Sequence, residues 1–245
     1  MKKRGLSLFC ALLTSAVLTV GNGTTIVMAT ETVPEASAVS PETPEEPAVP
    51  ESYEWEIQSN NIPGWPEGPK VMAETAIVMD MDTGEVLYAK GIDEKRAPAS
   101  TTKIMTAMLA IEKVPFETQI TFTDEVNNIE AGSTHIGIKP GETLTMKDCA
   151  YALLLASANE VSSGVAEYIG TTVPTFVDMM NQRAKELGCT NTHFVNANGL
   201  PDDDHYTTVY DMYLIFQEAI QTQDFIDIIH TKSYDAAYQN LSLIH

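Results

Sequence analysis

Apolar and polar positions change period several times along the chain, and each change marks an element. In TAIVMDMDTGEVLYAK, Thr75 to Lys90, two apolar runs flank Asp82-Thr83-Gly84. Gly84 can take the positive φ of a tight turn, so the pattern predicts a β-hairpin. The period then becomes helical. Ile104, Met105, Met108, Leu109 and Ile111 share one face from Lys103 to Lys113, and Pro115 ends the run. The stretch AGSTHIGIKPGETLT reads as loop with short extended pieces. Thr145 to Asp148 has the spacing of a capping box, opening a helix with Cys149, Ala150, Leu153 and Leu154 inward. That helix breaks at Ser157-Ala158-Asn159. Another follows from Glu160 to Ile169, facing inward with Val161, Val165, Ala166 and Ile169. A third runs from Pro174 to Leu187, with Pro174 in its first turn and Gly188 past its end. NTHFVNANGLPDDDHYTT is a long polar loop, and a second capping box, Thr208 to Asp211, opens a helix through Ile220.

The order is a hairpin followed by a block of helices, an α+β arrangement. A lone two-stranded hairpin is marginal in water because it buries only one small face. Strand-rich sequence is therefore expected beyond residue 230, and the chain reads as C-terminally truncated and its sheet as incomplete.

The N-terminal region has a different character. Lys2, Lys3 and Arg4 precede an apolar stretch from Leu6 to Val20, and Val27-Met28-Ala29 offers small residues for cleavage. Residues 1–29 are read as a secretory signal peptide, the apolar stretch being short for a bilayer span. Residues 30–51 hold five prolines and six glutamates with almost no large apolar side chains. Such a segment cannot bury enough surface to offset its ordering entropy, so residues 30–70 are read as a disordered linker. Trp55 and Trp65 are candidates to dock on the folded part, residues 71–245. Hydrophobic content of 44% supports a packed core, and a net charge of −20 argues against nucleic acid or anionic lipid as partners of the bulk surface. Outside the signal, Cys149 and Cys189 lie near apolar-periodic segments and are read as buried free thiols.

The candidate chemistry begins at Ser100-Thr101-Thr102-Lys103. Positions i and i+3 share a helix face, so Ser100 and Lys103 adjoin at a helix start. A serine hydroxyl needs a base to become a nucleophile, and an amine serves if burial keeps it neutral. A serine there is equally an ordinary helix cap. Ser157 and Asn159 interrupt an apolar helical block, where polar groups must find partners. Ser157 could pass a proton to a leaving amine and Asn159 could orient a substrate amide, or Asn159 could simply cap the next helix. The five histidines show no metal-ligand spacing, and His205 among three aspartates reads as a solvated acidic loop. No metal or other cofactor is expected.

Ser157 follows Ser100 by 57 positions. In that order, and with the surrounding stretches AIVMDMDTGEVLYAK, RAPASTTKIMTAMLA, LLLASANEVSSGVAEYIG and FVDMMNQRAKELGCTNTHFVNANGLPDDDHYTTVYDM, the sequence resembles the serine-type D-alanyl-D-alanine carboxypeptidases, the low-molecular-mass penicillin-binding proteins. The resemblance spans roughly residues 73–235. It implies a β-lactamase/transpeptidase-like fold, a sheet flanked by helices plus an all-helical region. It also implies the nucleophile Ser100, the general base Lys103, the proton relay Ser157 and the substrate-binding Asn159. The implied substrates are peptidoglycan stem peptides ending in D-Ala-D-Ala, with β-lactams as inhibitors. The implied setting is outside the cytoplasm, at the wall or outer membrane face. The family's third motif, of Lys-Thr-Gly type on a C-terminal strand, has no counterpart after Asn159. Its C-terminal membrane-associating segment is also missing, so membrane attachment would depend on it, and this polypeptide alone is expected to be inactive. A class A β-lactamase-like hydrolase is one alternative, although no Glu-x-x-Leu-Asn pattern follows Asn159. A non-catalytic penicillin-binding sensor or wall-binding module is another.

Overall fold

The structure is a computed structural model that describes residues 49–236. The expected signal and the greater part of the Pro/Glu-rich stretch lie outside the described residues. The hairpin forms as the pattern predicts. Strands β1 (Ala76–Met79) and β2 (Val86–Lys90) pair antiparallel, Ala76 opposite Lys90 and Ile77 opposite Ala89, with a register shift after Val78. The turn is held by its own side chain: Asp80 Oδ1 accepts from the amides of Asp82 and Thr83, 3.0 and 2.8 Å away.

The chain ahead of the hairpin departs from the sequence expectation. A linker was expected to run to residue 70, yet residues 51–73 are packed on the hairpin. They include two 3-10 turns, Glu51–Glu54 and Gln58–Asn61. The Lys90 amine is 1% exposed and donates to the carbonyls of Ser52, Val71 and Ala73 at 2.6, 2.8 and 2.7 Å. Ser59 Oγ accepts from the Ala89 amide, and the Trp65 indole donates to the Leu87 carbonyl. Few apolar side chains are needed, because backbone carbonyls satisfy a lysine that the hairpin would otherwise bury alone.

The helical block comprises α1 (Thr102–Lys113), α2 (Met146–Leu155), α3 (Asn159–Gly170), α4 (Val173–Glu186), α5 (Val209–Ala219) and the short α6 (Gln223–Ile229). The reading from periodicity ends at Ile220 and misses α6, whose seven residues carry too few turns to show a stripe. The stretch between α1 and α2 contributes a second antiparallel pair, β3 (Gln119–Thr121) and β4 (Thr143–Thr145). Helix α1 is central and packs against α2, α3, α4, α5 and α6. Its Ala107 and Ala110 are fully buried, small enough for neighbouring helices to approach. Met105, Met108 and Leu109 enter the common core with Phe122, Leu153, Val161, Phe176, Ile215 and Phe225. Each such large side chain is worth about 1.5–3 kcal/mol of transfer free energy on burial.

The caps differ in detail. Thr145 forms the full capping box with Asp148. Thr208 accepts from the Asp211 amide, but the Asp211 carboxylate turns away to the Asn191 amide and the Thr192 hydroxyl, at 2.7 and 2.8 Å. Half of the expected second box thus ties the 191–208 loop to α5. Cys149 and Cys189 are free and buried, and burial pushes both thiols above their ordinary range, Cys189 to about 12.

Candidate active site

Ser100 lies in a 3-10 turn, Ala99–Thr101, that runs directly into α1. Pro98 precedes it, and the Thr101 hydroxyl and amide both return to the Pro98 carbonyl, at 2.6 and 3.2 Å. Ala99 takes a φ of +49°, a left-handed conformation that an L-residue holds only when its surroundings impose it. The constraint is visible. A Cβ on Gly199 would stand 1.9 Å from the Ala99 carbonyl oxygen, so only glycine lets the two backbones come this close.

One turn later Lys103 is 2% exposed, while Ser100 is exposed to solvent. The Lys103 amine donates to Ser100 Oγ at 3.2 Å and to the Asn198 carbonyl at 2.6 Å. Both acceptors are uncharged. Burial pushes the amine down to about 8, and the negative charge of Glu160 on α3 opposes part of that fall. An amine with this affinity is neutral, and so free to accept a proton from a neighbouring hydroxyl, in a far larger fraction of molecules near neutral pH than an ordinary lysine.

The loop over residues 193–207 is stitched along the same face of α1. The Thr106 hydroxyl donates to the Ala197 carbonyl at 2.7 Å. His205 Nδ1 accepts from the Val195 amide at 3.0 Å, which leaves the ring proton on Nε2, 2.8 Å from Thr102 Oγ1. His205 is 2% exposed, and burial lowers its affinity for a second proton to about 4. The solvated acidic loop expected around His205 is therefore a correction: the aspartates are exposed, but the imidazole is a buried tie between the loop and α1.

Ser157 and Asn159 sit where α2 breaks into α3. Ser157 has a φ of +52°, and its buried hydroxyl has no hydrogen-bond partner among the described residues. Asn159 is the first residue of α3 and not its cap, which is Ala158. The Asn159 amide donates to the Thr134 carbonyl at 3.0 Å, and its buried Oδ1 is also without a partner. The structure thus joins Ser100 to Lys103 directly. It places Ser157 and Asn159 at a strained break bearing unpartnered polar atoms, with no hydrogen bond from either to Ser100 or Lys103. Among the described residues, three non-glycine residues have a positive φ, and two of them, Ala99 and Ser157, belong to this pair of segments.

A family model described as D-alanyl-D-alanine carboxypeptidase matches residues 63–244. The chain belongs to that family. Among curated relatives of the carboxypeptidase family, DacF of Bacillus subtilis is 39% identical over 61% of this chain and 39% of its own length. DacB2 of Mycobacterium tuberculosis is 33% identical over 66% of this chain and 55% of its own. The chain thus spans about 40–55% of the length of these curated relatives. Among solved structures, DacD from Francisella tularensis aligns with a TM-score of 0.60 at 34% identity, over 63% of this chain and 38% of that one. A Streptomyces K15 DD-transpeptidase mutant aligns with a TM-score of 0.68 at 26% identity, over 71% of each chain. The fold is the α+β transpeptidase-like fold of these penicillin-binding proteins.

Sequence reasoning named Ser100, Lys103, Ser157 and Asn159. It missed Asn198 and Gly199, which meet Lys103 and the Ser100 turn, and His205, which ties the same loop to Thr102. The dipeptide Asn198-Gly199 was a turn signal. Nothing in the pattern showed that the turn would close on Ser100.

Proposed function

We propose that the protein is a serine D-alanyl-D-alanine carboxypeptidase that removes the terminal D-Ala from peptidoglycan stem peptides through an acyl-enzyme, outside the cytoplasm. One observation carries this reading: a buried amine of lowered basicity is hydrogen-bonded to an exposed serine hydroxyl at the mouth of a helix. In the proposed reaction Lys103 takes the Ser100 proton as Ser100 Oγ attacks the penultimate D-Ala carbonyl. The new alkoxide charge develops beside the backbone amides at the start of α1, where the helix dipole is positive. Ser157 returns a proton to the departing D-Ala amine, and Asn159 hydrogen-bonds the substrate backbone. Water then cleaves the ester and frees Ser100. A penicillin presents a strained amide to the same hydroxyl, so it is an inhibitor that acylates Ser100.

The test uses a fluorescent penicillin and a peptide ending in D-Ala-D-Ala on the whole protein. The expected result is covalent label on Ser100 and release of free D-Ala, both abolished by Ser100→Ala. Absence of label with Ser100 intact would overturn the reading.

A further inference from the structure

Ser157 Oγ and Asn159 Oδ1 have no hydrogen-bond partners of their own among the described residues, so the backbone beneath them must fix where they point. That backbone is held from one side by the irregular segment over residues 133–139. Three successive amides of this segment, Ile136, Gly137 and Ile138, converge on Glu160 Oε1 at 2.7, 2.9 and 3.4 Å. Successive amides can share one oxygen only where the chain curls into a concave nest, and Gly137 supplies the curl with a φ of +85°. The neighbouring Asn159 amide donates back to the Thr134 carbonyl. The segment is thus fastened at two points, both in the first turn of α3. Glu160 is 1% exposed, and its second oxygen is buried without a protein partner among the described residues. A negative charge in that first turn is favoured by the helix dipole.

We propose that Glu160 is a positioning residue of the acyl-transfer site: its carboxylate seats the 133–139 segment on the α2–α3 break and thereby sets the orientation of Ser157 and Asn159. This rests on the carboxypeptidase reading. Glu160 does not touch substrate. It acts through the loop, and secondarily through its charge on Lys103, whose other close partners, the Ser100 hydroxyl and Asn198 carbonyl, are uncharged.

Two substitutions separate the two actions. Glu160→Asp keeps the charge but withdraws the carboxylate by one methylene from the three amides. Glu160→Gln keeps the length but removes the charge. Each is compared with the parent by the rate of penicillin acylation against pH and by hydrogen exchange of the 136–138 amides. For Glu160→Asp we expect about a tenfold loss of amide protection and about a hundredfold slower acylation of the folded protein, with the pH dependence unmoved. For Glu160→Gln we expect the rising limb of the pH profile to move to lower pH, because the charge that supports the Lys103 ammonium is gone. Parent-like acylation by folded Glu160→Asp, or unchanged protection of the three amides, would overturn the proposal, even if thermal stability had dropped. If the unsubstituted full-length protein takes no label, the carboxypeptidase reading fails, and the exchange measurement alone still decides whether Glu160 holds the loop.

Discussion

At the scale of single residues, the site turns on how far burial weakens one base. Lys103 falls from an ordinary 10.5 to about 8, so about a tenth of the molecules carry a neutral amine at pH 7. Acylation by penicillin should therefore rise nearly in proportion to hydroxide from pH 6 to 7.5 and level off above 8.5, measurable by stopped-flow labelling. A plateau already reached at pH 6 would exclude Lys103 as the base. The same shift has a stability consequence of definite sign. Between pH 8 and 10.5 the unfolded chain keeps a proton on Lys103 that the folded chain has released. The unfolded state binds more protons there, so the parent gains stability as pH rises through this window, by about 3 kcal/mol. Lys103→Met lacks this gain. Its stability relative to the parent should decline by that amount from pH 7.5 to 10.5, as read by denaturant titration at several pH values.

At the scale of elements, α1 to α5 were legible because each carries an apolar stripe of the right period, and the α2–α3 break was legible because polar residues interrupt one. The 191–208 loop was not. Asn, Asp and Gly dominate it, and such composition normally marks a solvated connection. Here it is folded by side chain-to-backbone bonds. Asn196 Oδ1 accepts from the Gly199 amide, Asn181 pairs with the Phe194 backbone, and Asp211 holds Asn191 and Thr192. The Asn196 bond is local, but the Asn181 and Asp211 bonds reach residues 13 to 20 positions away, and no local pattern encodes them. The turn at Gly199 is where this loop meets the Ser100 turn. A methyl there would strike the Ala99 carbonyl at 1.9 Å and the Ser100 amide at 3.0 Å, on a backbone already at a φ of +88°. Gly199→Ala should therefore displace Ser100 and slow acylation about a hundredfold. Thr145→Ala is the matching control. It removes the α2 cap, costing about 1 kcal/mol in denaturant titration, and should leave acylation of the folded protein unchanged.

At the scale of the whole molecule, the described chain has two small antiparallel sheets and a helical block gathered around α1. The helical block is held by apolar burial, which periodicity reveals. The hairpin is held differently, by residues 51–73, and their Pro- and Asn-containing sequence gives no such signal. Lys90 organises this packing. Its ammonium takes three carbonyls from two parts of that segment, Ser52 on one side and Val71 and Ala73 on the other. Three charge-assisted hydrogen bonds offset the desolvation of one buried cation, and the same three carbonyls lose their water when the segment docks. Removing the amine leaves the Val71 and Ala73 carbonyls without a donor, while the Ser52 carbonyl keeps the Trp55 amide at 3.1 Å. Each such orphan costs about 1–3 kcal/mol, more than the added apolar contact of a methionine returns. The segment should then detach while the helical core, which Lys90 does not enter, stays folded. Lys90→Met is therefore expected to become sensitive to limited proteolysis within residues 51–73, while far-UV circular dichroism retains its helical signal. Proteolytic resistance equal to that of the parent would mean that the Trp65 and Ser59 bonds hold the segment without the lysine.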